Sequence, residues 1–240
     1  MDQSEQYWPW LGKYISILGA SIETLEGWNP PGYAVFYTKE RSRLSRICTP
    51  EDTWWGKVIA QLGGTLLINN AWSGSRATRL PNADGDFPSA CSIERTGALH
   101  NEHVAPDVIL VHIGGNDFGY GVPIRRRTFQ KGNKMEFFSC AYRMMLRRLR
   151  RNYPNAEIWC MGIGRTYMSA RPEFVFPENF GGVPCADYNR EIERLAHHYG
   201  CAYINLYQRG TYDTIDGTHP TYEGMGMLAN LVLREISQKF

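Results

Sequence analysis

Five short runs, Tyr14–Leu18, Thr65–Ile68, Val108–His112, Glu157–Met161 and Ala202–Leu206, consist almost entirely of apolar and β-favouring side chains. A strand that is apolar on both faces must be covered on both faces, as in a parallel sheet with helices above and below it. The segments between the runs supply those helices. Thr53–Leu62 opens on a threonine that can cap its first turn and carries Trp54, Val58, Ile59 and Leu62. Lys134–Asn152 places Met135, Phe138, Tyr142, Met145 and Leu149 at spacings of three and four, an apolar stripe of helical period. Ala186–Tyr199 and Tyr222–Ser237 complete the set. Strand and helix alternate along the chain, so the expected class is α/β: a doubly wound, three-layer αβα sheet of about five parallel strands, in one domain over residues 1–240.

Composition removes several classes of function. A net charge of +2 gives no global electrostatic case for nucleic acid. The longest apolar runs, such as Val108–Val111, are far too short to span a bilayer, and Met1–Trp10 lacks the basic start and apolar core of a secretory leader. The six cysteines are scattered without a CxxC pair, and most fall in expected elements where a thiol packs as a small apolar group. That usage points to reduced cysteines and a cytoplasmic location. His100 and His103, like His197 and His198, have no companion Cys or Asp cluster, so neither a metal nor another cofactor is expected.

In a doubly wound sheet, ligands bind beyond the carboxyl ends of the strands. Each such end carries a chemically apt residue. Gly19-Ala20-Ser21 follows the first run; a serine on a sharp turn is either an exposed nucleophile or a helix cap. Gly74, after the second run, offers an unhindered N–H or simply makes a turn. Gly114-Gly115-Asn116-Asp117, after the third, offers the Asn116 amide to a developing oxyanion, or Asn and Asp merely stabilise the turn. Asp216-Gly217-Thr218-His219-Pro220 precedes the last helix; an Asp three residues before a His can fix the imidazole tautomer from behind. Together they supply a nucleophile, a base, an orienting carboxylate and oxyanion donors, the components of acyl transfer from an ester.

These four blocks, in this order and spread over almost the whole chain, resemble those of the SGNH (GDSL-type) esterase and lipase family. The resemblance implies a flavodoxin-like SGNH hydrolase fold and a metal-independent serine hydrolase. It implies Ser21 as nucleophile, His219 as general base and then acid, and Asp216 as its partner, with the oxyanion held by the N–H groups of Ser21 and Gly74 and the Asn116 side chain. One position departs from the family pattern. The first block of the family usually reads Gly-Asp-Ser, whereas this chain has Ala20, which puts the rigidity of the nucleophile turn in doubt.

The expected substrate is a small-molecule carboxylic ester with a small acyl or acetyl group, on a carbohydrate or another metabolite. Trp28, Trp72 and Phe118 are the aromatic candidates for substrate contact, with Trp54, Trp55 and Tyr120 nearby. Arg76 is the arginine best placed to touch substrate, ahead of Arg125-Arg126-Arg127 and Arg41, Arg43 and Arg46. Arg147, Arg148, Arg150 and Arg151 read as the solvated face of a helix. Two alternatives remain: an acyltransferase or thioesterase on the same residues, and an ester-binding protein weakened in catalysis by Ala20.

Overall fold

The computed structural model describes residues 9–80, 85–125 and 133–238. Five parallel strands form the central sheet: β1 (Tyr14–Gly19), β2 (Thr65–Ala71), β3 (Val108–His112), β4 (Glu157–Met161) and β5 (Ala202–Ile204), in the order β2-β1-β3-β4-β5. This is the flavodoxin-like order, and its topological switch point lies between the carboxyl ends of β1 and β3. The register pairs Gly19 with Ala71 on one side and with His112 on the other, so three strand ends converge there.

Among the described residues, four long helices cover the sheet: α1 (Trp54–Gln61), α2 (Phe138–Asn152), α3 (Cys185–His198) and α4 (Tyr222–Ser237). Side-chain alternation along the strands divides the core into two layers. Ile15, Ile17, Val108 and Leu110 face Trp54, Val58, Leu228 and Val232 of α1 and α4. Leu18, Ile109, Val111 and Ile158 face Phe138, Tyr142, Met145 and Ile192 of α2 and α3. Both faces of β1 and β3 are thus buried, as their unbroken apolarity requires.

Several boundaries differ from expectation. β2 runs on to Ala71 because Asn69 and Asn70 are buried strand residues whose side chains bond the backbone of Glu23 and Ala98. β5 stops at Ile204, and Asn205 turns to cap a short helix, Leu206–Arg209, by accepting from the Gln208 N–H at 3.2 Å. The long helix begins at Phe138, with Lys134–Glu136 forming a separate 3-10 turn. The backbone is extended at buried Phe137, and the Phe138 and Ser139 N–H groups donate to Pro123 and Ile124 carbonyls. α3 runs one residue earlier than expected at each end, Cys185–His198. At the start of α1, Thr53 accepts from the Gly56 N–H at 3.0 Å, the cap its sequence implies. All six cysteines are free thiols, and Cys91, Cys160, Cys185 and Cys201 are buried. No helix among the described residues is long and apolar enough to cross a membrane.

Candidate active site

Ser21 is the first residue of a 3-10 turn, Ser21–Glu23, immediately beyond β1. Its hydroxyl lies 2.8 Å from His219 Nε2, and His219 Nδ1 lies 2.8 Å from Asp216 Oδ2. The carboxylate fixes the tautomer: Nδ1 donates to Asp216, leaving Nε2 to accept the Ser21 proton. Asp216 Oδ1 also accepts the backbone N–H groups of Thr218 and His219, at 3.0 and 2.9 Å. Partial burial pushes this carboxyl up, but the hydrogen bonds from His219 and its charge outweigh that effect and hold it at about 2. The turn is closed by Ile215 N–H to His219 O at 2.8 Å, with Gly217 at φ +88° where the Phe174 ring leaves no room for a Cβ. Phe36 stacks on the His219 ring at 3.4 Å between centroids, and the Tyr37 hydroxyl donates to Pro220 O.

The nucleophile turn lacks an aspartate at residue 20 but is held by other groups. Glu23 is fully buried and accepts from Ala20 N–H (2.9 Å) and Trp54 Nε1 (3.0 Å), with His112 Nδ1 at 2.7 Å. Its backbone carbonyl takes Trp55 Nε1 and Asn69 Nδ2. From the other side, fully buried Arg95 donates to Gly19 O, Asn70 O, Asn70 Oδ1, Ser75 Oγ and Pro88 O. One guanidinium therefore ties the end of β1 to the end of β2 and to the loop carrying Gly74.

The oxyanion candidates sit on adjoining loops, Ser21 and Asn116 lining one cavity and Gly74 a neighbouring recess. Gly74 sits at φ +82°, and among the described residues no protein acceptor takes the N–H of Ser21 or of Gly74. Asn116 Nδ2 donates to Ser75 O at 2.9 Å, which docks the short helix Gly115–Gly119 beside the Gly74 loop. An amide nitrogen carries two hydrogens, so one remains for a ligand. Asp117 is buried and accepts Ala77 N–H, Thr78 N–H and the Thr78 hydroxyl, bracing the same loop from beneath. Burial pushes its carboxyl up while these bonds pull it back.

A cavity of about 410 Å3 opens beside Ser21, and Ser21, Asn116, Phe118 and Asp216 all line it. The other expected substrate residues lie elsewhere. Arg76 is 6% exposed, donates to Arg79 O and lies over the Tyr120 ring; with Trp72 and Gly74 it lines a separate small recess. Trp72 is packed between Tyr33 and Phe87, and Trp28 is half exposed outside the cavity. Trp54 and Trp55 are both core residues.

The basic clusters are also engaged. Arg41 lies over Phe36, Arg46 pairs with Glu223, and Arg125 pairs with Glu191; Arg126 and Arg127 lie outside the described residues. Arg148 and Arg150 are not simply solvated, since they bond the carbonyls of Cys91 and of Tyr199 and Ala156. Glu23, Arg95, His112 and Phe36 were not anticipated. Only Glu23, two residues after Ser21, could have been suspected from its position.

A serine, histidine and aspartate joined in sequence at the switch point of a parallel sheet define the class as an α/β serine hydrolase. Residues 13–166 match the GDSL-like Lipase/Acylhydrolase family, more than half of the chain, and the chain belongs to that family. It is accordingly an ester-hydrolysing serine hydrolase. Solved structures agree. A candidate GDSL-like lipase from Bacteroides ovatus is 25% identical (TM-score 0.71, covering 95% of this chain and 99% of that one). A second, from Bacteroides uniformis, is 27% identical (TM-score 0.71, covering 94% and 96%). Est24, a carbohydrate acetylesterase from Sinorhizobium meliloti, shares the fold at 15% identity (TM-score 0.62, covering 95% and 100%). No curated protein matches the sequence significantly.

Proposed function

We propose that this chain hydrolyses carboxylic esters through an acyl-enzyme on Ser21. The observation that carries the reading is the unbroken Asp216–His219–Ser21 chain, with both links at 2.8 Å. Ser21 Oγ attacks the ester carbonyl as its proton passes to His219 Nε2, and the carbonyl electron pair moves to oxygen. That oxyanion takes hydrogen bonds from the Ser21 and Gly74 N–H groups and the free hydrogen of Asn116 Nδ2, a stabilisation worth about 3 kcal/mol per donor. The tetrahedral adduct collapses, the ester C–O bond breaks, and His219 returns its proton to the leaving alkoxide. Water then repeats the sequence on the acyl-enzyme with His219 as base, releasing acid and free Ser21.

Asp216 stays ionised throughout and stabilises the imidazolium, consistent with the hydrogen bonds that hold its carboxyl low. The substrate we propose is a small-molecule ester. A sugar hydroxyl is one leaving alcohol we propose, the activity named for the fold neighbour Est24 being that of a carbohydrate acetylesterase.

The test is intact-mass labelling with a small fluorophosphonate. One adduct per chain is expected, mapping to Ser21 and absent from Ser21→Ala and His219→Ala. A folded parent protein that takes no adduct, or labels equally in Ser21→Ala, would refute the reading.

A further inference from the structure

The sequence suggests a small acyl group, yet the space beside Ser21 is far larger than an acetyl group needs. A cavity of about 410 Å3 falls in the size range, roughly 300–1,000 Å3, that encloses whole ring-bearing ligands. An acetyl group would fill the room of only a few water molecules, at about 30 Å3 each.

The chemistry of the walls is graded. Around the nucleophile they are polar, with Ser21, Glu23, His112 and Asn116. Away from it they are aromatic and come from two directions. Phe118 and Tyr120 belong to the segment after β3, while Phe174, Phe176 and Phe180 belong to the 174–180 segment. Phe118 and Phe180 meet edge to face at 5.1 Å, and Phe118 and Phe176 stack at 6.2 Å. Phe174 extends the aromatic wall over Gly217 of the histidine turn.

The positions of the groups decide which half of the ester enters. The leaving oxygen must sit at His219 Nε2, because that nitrogen delivers its proton. Ser21, Asn116 and Asp216 line the cavity, but the His219 ring does not, and Phe36 covers one of its faces. Asn116, the donor to the acyl carbonyl oxygen, opens onto the cavity beside Ser21, and we assign the cavity to the acyl group. A flat ring can pack against this aromatic cluster in the 4.5–7 Å geometry such pairs prefer. It also has fewer rotors to freeze than a linear chain of equal area.

We infer that this cavity is an acyl pocket selecting aryl acyl groups, of benzoyl size or somewhat larger, over acetyl and over linear acyl chains. The inference rests on the esterase reading above.

The experiment compares kcat/KM for p-nitrophenyl acetate, octanoate and benzoate, which share one leaving group. Benzoate is the intrinsically less electrophilic of the acetate–benzoate pair, so a preference for it reports binding by the enzyme. The expected result is benzoate ahead of both others by roughly tenfold or more, given about 1.4 kcal/mol for each factor of ten. Gly119 lines the cavity, has no positive φ, and a Cβ there meets nothing within 4 Å. Gly119→Leu should fill the space and lower the benzoate-to-acetate ratio about tenfold, a typical consequence of altered pocket volume. Phe180→Ala, which removes one wall, should also lower it and serves if Gly119→Leu loses its cooperative unfolding.

Preference of the parent enzyme for acetate or octanoate would overturn the acyl assignment and leave the esterase reading intact. So would a ratio unmoved by either folded variant. Failure to cleave any of the three esters, with Ser21 unlabelled by fluorophosphonate, would bring down both.

Discussion

Replacing Arg95 by methionine tests how the site is held together. The guanidinium is buried and its pKa is pulled down to about 10 by desolvation. Its acceptors are neutral: Asn70 Oδ1 at 2.6 Å, Asn70 O and Pro88 O at 2.8 Å, Ser75 Oγ at 3.0 Å and Gly19 O at 3.1 Å. Methionine approximates the length of the side chain without its donors. Gly19 O would keep the Trp72 N–H at 3.2 Å, and the Ser75 hydroxyl can rotate. Both Asn70 oxygens and Pro88 O would lose this partner. Three such acceptors cost about 1–3 kcal/mol each, and the lower end applies because the desolvation of the guanidinium is recovered, leaving about 3 kcal/mol. At about 2–4 °C per kcal/mol for a chain of this size, Tm should fall by roughly 6–12 °C. Below both transitions, kcat on an activated ester should fall with KM little changed, because Gly19 O and Ser75 position the nucleophile turn and the Gly74 loop. Circular dichroism melting and steady-state kinetics read the two effects. A folded Arg95→Met protein that melts within about 2 °C of the parent and turns over at the same rate would refute the argument.

Glu23→Gln leaves two oxygen-seeking sites with one acceptor oxygen, since Trp54, His112 and Ala20 all contact the carboxylate. It should cost about 1–3 kcal/mol in denaturant unfolding and lower kcat, and an unchanged midpoint and rate would contradict the assigned contacts. Asp216 and Glu191 are both held at about 2, each by hydrogen bonds that outweigh the upward push of burial. A depressed carboxyl contributes stability above its unfolded value that disappears as pH falls through the folded one. Melting temperature should therefore decline between about pH 4.5 and 2. Asp216→Asn should flatten part of that decline; identical profiles would show that Asp216 is not linked to folding. Phe36→Ala uncovers the His219 ring and should lower kcat while Tm changes little, and a large Tm loss at constant kcat would make Phe36 a purely structural residue.

The strands were readable to the extent that apolarity was. β1, β3 and β4 are apolar on both faces and were located within a residue, whereas the end of β2 is written in Asn69 and Asn70, polar side chains serving distant backbones. Ser21, Asp216 and His219, which the structure brings into one hydrogen-bonded chain, each occupy a short local motif at a strand exit or before the last helix. Arg95 was not legible, because its acceptors lie up to 76 positions away and nothing near it in the sequence marks it as buried. Arg76, two residues from Gly74 in sequence, does not itself line the cavity but packs over Tyr120, one of the cavity's aromatic residues.

The same distinction explains how the chain manages with Ala20. Read locally, a first block without its aspartate looks like a loosened nucleophile turn. In three dimensions, the turn is gripped from both sides of β1 by buried charged groups. Glu23 takes the Ala20 N–H on the α1 side and Arg95 takes Gly19 O on the β2 side. Glu23 also occupies the space where a Cβ on Gly19 would fall, with Oε2 2.6 Å from that point, so the glycine before Ala20 is required by the carboxylate that follows Ser21. The Glu23 and Arg95 bonds hold the turn without any side-chain acceptor at residue 20. The requirement has passed to Gly19, Glu23 and Arg95, and substitutions there should disturb the nucleophile more than substitutions at residue 20 itself.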